Sequence, residues 1–174
     1  MTIKDIMDMT RDRMNGNETY TEGIFPEGSA GLTQKLIEIE FKKTFKNEYP
    51  HAGIIHPADN SGLPDIWSEY YGHGIEVKCT KGWPTYYYKK DGTRVKTSYD
   101  HRVVWTQGTI QKSDEKFPFW FVKFSIVNNE LKFDYAYFGL LSYNDWTIHK
   151  GQKGIETDMR ITLSTVKKLC KQIY

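Results

Sequence analysis

Apolar residues recur at helical spacing near the N-terminus and alternate with polar ones through most of the remaining chain. Ile3, Ile6, Met7, Met9 and Met14 predict a short helix, opened by Thr2 as its cap and closed at Asn15-Gly16. A loop rich in Gly, Asn and Glu runs on to about Gly28. Ser29 is placed to cap a longer helix, "AGLTQKLIEIEFKKTFKNEY", which Pro50 terminates. "AGIIH" (52–56) has the form of a short buried strand, and residues 57–64 form a turn-rich loop.

The second half of the chain is dominated by strand patterns. Two strands, 65–70 and 75–80, are expected to be joined by the glycine turn "YGHG". A loop follows with Asp91-Gly92 at its turn. "HRVVWTQGTIQKS" fits a strand or a helix. "FPFWFVKFSIV" and "ELKFDYAYFGLL" alternate with period two around Asn128-Asn129, a hairpin. "LSTVKKLCKQIY" predicts an amphipathic C-terminal helix from near Ser164. This order of elements gives an α/β class with a central mixed β-sheet flanked by helices. At 174 residues one domain is expected: an N-terminal helical segment of about 1–28, a core of about 29–140 and a C-terminal segment of about 141–174.

Composition narrows the class. Charged residues make up 26% and aromatics 15%, which argues against disorder. No run approaches the ~20 apolar residues of a membrane-spanning helix, and the charged N-terminus lacks the apolar stretch of a secretory signal. Cys79 and Cys170 form neither a disulfide framework nor a zinc spacing. A cytoplasmic protein with reduced thiols is expected. The net charge is only +2, yet residues 78–102 hold seven Lys/Arg against two acids, interleaved with Trp83, Tyr86, Tyr87, Tyr88 and Tyr99. Such a segment suits phosphate contact combined with stacking or groove contact.

The strand alternation puts three ionisable groups in an unusual place. In "IEVKCT", Ile75, Val77 and Cys79 face one way, and Glu76, Lys78 and Thr80 the other. In "DIWSEY", Asp65, Trp67 and Glu69 share a side. Pairing Asp65 beside Glu76 brings two carboxylates and an ammonium together, which is costly unless a cation binds there. Carboxylate oxygens with water and a phosphate are the ligands that Mg²⁺ favours.

Pro64-Asp65, ten intervening residues, then Glu76-Val77-Lys78 resembles the PD-(D/E)XK nuclease superfamily, with its restriction-endonuclease-like core. The resemblance implies Mg²⁺-dependent hydrolysis of DNA phosphodiesters, with Mn²⁺ able to substitute. It implies Asp65, Glu76 and the Val77 carbonyl as metal ligands, and Lys78 as the group that orients or activates the attacking water. It further implies a type II restriction enzyme that cuts a short double-stranded site as a homodimer. A junction resolvase, a repair or phage nuclease, and a DNA-binding module with a vestigial site are the alternatives.

Many members add an acid from the preceding helix, for which Glu38 and Glu40 compete. Glu38 shares a face with Lys35, Lys42 and Lys46 and reads as a solvated partner of Lys42. Glu40 lies between apolar positions, where an acid needs a partner, and is the expected catalytic acid. Lys81, Lys89, Lys90, Arg94 and Lys96 are expected to contact phosphates, and Tyr86, Tyr87 and Tyr88 bases or sugars. Asn60 and Ser61 are expected to bond the DNA backbone. Asp59 reads as a turn-former and Glu69 as peripheral, while Gln107 is a weaker candidate near the scissile phosphate. No phosphate-cradling glycine loop indicates an NTP.

Overall fold

The structure, a computed structural model, describes residues 2–49, 66–68, 73–83, 86–97, 101–107, 116–150 and 157–174. Helix α1 (Ile3–Asn15) opens with a reciprocal box, in which Thr2 Oγ1 accepts from the Asp5 N–H and the Asp5 carboxylate accepts from the Thr2 N–H. The expected loop after Gly16 is instead a π-helical turn (Thr19–Ile24) running into the short helix α2 (Phe25–Glu27). Aromatic burial outweighs the polar composition there, since Tyr20 stacks on Phe25 at 5.7 Å and Phe25 is buried. Helix α3 (Ala30–Glu48) starts as expected, with Ser29 Oγ accepting from the Leu32 N–H.

The strands are β1 (Ile66–Ser68), β2 (His73–Thr80), β3 (Tyr86–Tyr88), β4 (Arg94–Lys96), β5 (Arg102–Gln107), β6 (Lys116–Val127), β7 (Glu130–Ser142), β8 (Thr147–Lys150), β9 (Thr157–Thr162) and β10 (Lys171–Gln172), with helix α4 (Leu163–Leu169) before the last. A five-stranded sheet runs in the order β1-β2-β6-β7-β10. It is mixed, because β2 and β6 are parallel while the other neighbours are antiparallel. The fold class is therefore α/β with a mixed sheet, as expected. The candidate strand at 52–56 lies outside the described residues.

The β6–β7 hairpin forms where the alternation placed it. Asn128 and Asn129, at φ 52° and 62°, supply the left-handed pair that a tight hairpin turn demands. Even-numbered β6 residues Trp120, Val122 and Phe124 pack with Ile37, Phe41 and Phe45 of α3 and Ile6, Met7 and Met14 of α1. Odd-numbered Phe119 and Phe121 pack on the opposite face with Val103, Met159, Ile161, Leu163 and Val166.

That second face differs from the expected helical flank. A three-stranded antiparallel sheet, β5-β9-β8, covers it together with α4. Of the ambiguous segment, Arg102–Gln107 is thereby strand, and residues 108–113 lie outside the described residues. The C-terminal helix is also shorter than expected, ending at Leu169. The chain beyond it pairs with β7, and the Ile173 N–H donates to the Ala136 carbonyl at 2.9 Å. None of the described helices is long and apolar enough to cross a membrane.

Candidate active site

Strand β2 carries the centre of the site. Ile75, Val77 and Cys79 are buried against the helices. Glu76 and Lys78 point to the other face, in register with Phe119 and Phe121 of β6. The Glu76 carboxylate is 2% exposed as a residue and forms an ion pair with the Lys78 ammonium. Desolvating a carboxylate this far requires such partners. Lys78 is less enclosed, at 18% side-chain exposure. It lines a cavity of about 250 Å³ together with Gln34, Thr80, Trp83, Arg102 and Phe121.

The pairing of β1 with β2 is antiparallel, with Ile66 opposite Ile75, Trp67 opposite Gly74 and Ser68 opposite His73. Asp65, Asn60, Ser61, Asp59 and Glu69 lie outside the described residues. By covalent sequence Asp65 is next to Ile66, whose partner Ile75 is next to Glu76. His73 and Gly74, expected in the turn, belong to β2.

The helical acids part company, and the expectation of a solvated Glu38 is corrected. At ~100° per residue, positions 38 and 40 of a helix lie about 200° apart, so one site cannot take both. The structure sets Glu38, not Glu40, against β2. Glu38 Oε1 accepts from the Cys79 N–H at 3.2 Å, one residue beyond Lys78. Glu38 and Lys42 are 8% and 3% exposed, so both are buried rather than solvated.

Glu40 faces α1 instead. Its carboxylate meets Arg13 Nη2 at 2.9 Å and Lys43 Nζ at 2.7 Å, and it accepts from the Tyr20 hydroxyl at 3.1 Å. Arg13 also donates to the Glu40 carbonyl at 3.0 Å, and Thr10 bonds Thr44 beside it at 2.8 Å. Burial pushes the Glu40 carboxyl upward, but the bonds from Lys43 and Tyr20 and the charges of Lys43 and Arg13 outweigh it and hold it low. Burial, and then the Glu40 charge, push the Tyr20 phenol up to about 12. This is a helix-to-helix clasp, removed from Glu76 and Lys78 by the helix geometry.

After β2 the chain turns sharply at Gly82, whose φ of 138° is open to glycine and strained for other residues. It then forms the two-stranded ribbon β3–β4, pairing Tyr86 with Lys96, Tyr87 with Val95 and Tyr88 with Arg94. Gly92, at φ 82°, and Asp91, accepting from the Thr93 N–H at 2.9 Å, close its turn. Tyr86, Tyr87 and Tyr88 are 42%, 45% and 70% exposed, so neither face of the ribbon is core. The Arg94 guanidinium lies 3.8 Å over the Tyr86 ring. Lys81, Lys89, Lys90, Arg94 and Lys96 are all at the surface. Gln107 is on β5, and its side chain is outside the described set.

Sequence reading missed the buried role of Glu38. A buried acid on a helix packed on two sides carries the same periodicity as a solvated one. It also missed the rings at the cavity, where Trp83 lines the wall and stacks on His101 beyond it. The signal available was the aromatic-basic spacing after Lys78. Among the described residues, no three His, Cys, Asp or Glu side chains are grouped so as to hold a metal ion. Comparison with protein-family models, with curated proteins and with solved structures returns no match to this chain.

Proposed function

We propose that this protein is a Mg²⁺-dependent DNA endonuclease built on a restriction-endonuclease-like core. The observation that carries the reading is the ion pair of buried Glu76 with Lys78 on one face of β2, whose lysine lines a cavity. A structural ion pair has no need of a cavity, and a hydrolytic site does.

The donor chemistry fits a hard cation. Glu76, Glu38 and the Val77 carbonyl offer oxygen, and Asp65 adds a further carboxylate by sequence, which favours Mg²⁺ or Mn²⁺ over a thiophilic metal. Asp65, Glu76 and the Val77 carbonyl would hold the ion, with Glu38 rather than Glu40 as the acid from the helix. When bound, it supplies Lewis-acid polarisation of the phosphate and acidification of water.

The chain's own groups do the rest. Glu76 holds the Lys78 ammonium against the β2 face, so the cation is fixed before substrate arrives. Lys78 then orients the attacking water and stabilises the charge that develops on the phosphoryl oxygens. Water adds to phosphorus, one P–O ester bond breaks, and a phosphate monoester and a hydroxyl are left. The β3–β4 ribbon has the width that a DNA major groove admits, with basic residues for phosphates and tyrosines for base edges or sugars. A homodimer would present two such sites to a palindrome.

Supercoiled plasmid and a branched junction, incubated with and without Mg²⁺, test the proposal against its rivals. Wild type should cut, while Lys78→Ala and Asp65→Asn should lose roughly 10²–10⁴-fold in rate, the range of a positioned proton-transfer or charge-stabilising group. Discrete fragments indicate site-specific cleavage, and junction-selective cutting a structure-specific nuclease. Binding by wild type without cleavage in Mg²⁺ or Mn²⁺ refutes the enzyme and leaves a DNA-binding module.

A further inference from the structure

Two rings line the cavity beside Lys78, Phe121 and Trp83, and a third, His101, stacks on Trp83 outside the lining; phosphodiester hydrolysis does not itself require them. Phe121, Trp83 and His101 are stacked in sequence from the core to the surface. Phe121 is buried and lies 6.1 Å from Trp83, ring centroid to centroid. Trp83 is half-buried, and the exposed His101 imidazole lies 4.5 Å from it, within 9° of parallel. The Trp83 ring and the His101 backbone are both anchored. Trp83 Nε1 donates to the Arg102 carbonyl at 2.7 Å, and the Leu163 N–H donates to the His101 carbonyl at 2.7 Å.

This arrangement ends in a flat ring at the surface, next to a cavity edged by the cations Lys78 and Arg102. Proteins that bind unpaired nucleic acid combine the same elements, a ring for the base and a cation for the phosphate. At about 250 Å³ the cavity is below the ~300–1,000 Å³ of sites for drug-sized ligands. A stacked base pair would not enter it, so a base held here lies against the rings at its edge.

We propose that His101 is the outermost platform of a nucleobase site, on which one unstacked base of the substrate lies while its phosphates face Arg102 and Lys78. The substrate class is then DNA with an unpaired or extruded nucleotide next to the scissile phosphate. The inference rests on the hydrolytic reading only for what happens at Lys78.

Binding measured without divalent metal separates the two. Fluorescence anisotropy compares a duplex carrying a short single-stranded gap with the same duplex intact, for wild type, His101→Ala and His101→Phe. His101 is exposed, so both variants should fold, and Phe keeps the flat ring. Wild type and His101→Phe should prefer the gapped probe. His101→Ala should lose roughly 5- to 150-fold on that probe, the equivalent of ~1–3 kcal/mol for one stacked base, with intact duplex unchanged. Equal binding of the gapped probe by His101→Ala and wild type, or an equal loss on both probes, overturns the proposal. Ring-dependent binding with no plasmid cleavage sinks the hydrolase and leaves the base site. Cleavage with no ring dependence does the reverse.

Discussion

Replacing Glu38 and Glu40 by glutamine, one at a time, should divide chemistry from stability along a single helix. The Glu40 carboxylate side chain is 7% exposed and joins Arg13 and Lys43, which are 40% and 58% exposed. Removing one partner of a fully buried pair costs ~3–5 kcal/mol. Here water recovers both cations, so Glu40→Gln should cost ~1–3 kcal/mol, in the range of hydrogen bonds to charged groups. For a chain of this length that lowers Tm by roughly 2–12 °C. The effect has a pH signature, because the folded protein holds the Glu40 carboxyl below its ordinary value. The stabilisation is complete above the unfolded value of about 4.3 and vanishes as pH falls through the lower folded one. Thermal unfolding at pH 7 and at pH 3 should therefore show a gap between wild type and variant that narrows in acid. Glu38→Gln keeps an oxygen for the Cys79 N–H but removes a charge one helical turn from the buried Lys42, so it too is assayed below its own Tm. It loses the charge, and Mg²⁺-supported cleavage should fall by more than about tenfold, while Glu40→Gln cleaves at the wild-type rate below its Tm. Lost cleavage in Glu40→Gln with an unchanged Tm, or full activity in Glu38→Gln, would refute the assignment.

Two further outcomes probe the C-terminal closure. A Cβ at Gly139 would lie 2.8 Å from Cys170 Cα and 2.9 Å from its Sγ. Gly139→Ala should therefore cost ~1–3 kcal/mol by overpacking, read as a lower urea midpoint; an unchanged midpoint would mean that the two segments are farther apart. Burial, aided by the Asp145 charge, pushes the Cys170 thiol up to about 11, and Cys79 is buried as well. Neither should react with a disulfide reagent at pH 8 until the protein is unfolded in guanidinium, and rapid labelling of the native protein would contradict this.

Local rules were legible in the chain. Thr2 and Ser29 announce two helix starts, Asn128-Asn129 a hairpin, and the alternation through Ile75–Thr80 the two faces of β2. The misreadings arose where neighbours distant in sequence decide. The helical wheel gives the angle between Glu38 and Glu40, but not that α1 brings Arg13 to one and β2 brings the Cys79 N–H to the other. "LSTVKKLCKQIY" keeps helical spacing throughout, yet β7 claims its last residues as a strand. The second sheet was hidden because β8 and β9 are short and separated by residues 151–156. The ring stack escaped because Trp83 and His101, eighteen positions apart, meet only once β5 is in place.

The long β6–β7 hairpin carries a consequence for the order of assembly. Its two strands are joined by a two-residue turn, so its contacts are local and need little loop closure. Parallel docking of β2 must first close the 35 residues between Thr80 and Lys116. The hairpin is expected to form first and serve as a template, with the strand bearing Glu76 and Lys78 added afterwards. In pulsed hydrogen exchange during refolding, amides around Trp120 and Ala136 should then gain protection before those of Val77 and Cys79, and the reverse order would exclude this route. The charged pair would enter its buried place only when an apolar surface is already waiting for it, so a chain caught midway would keep Glu76 and Lys78 in water.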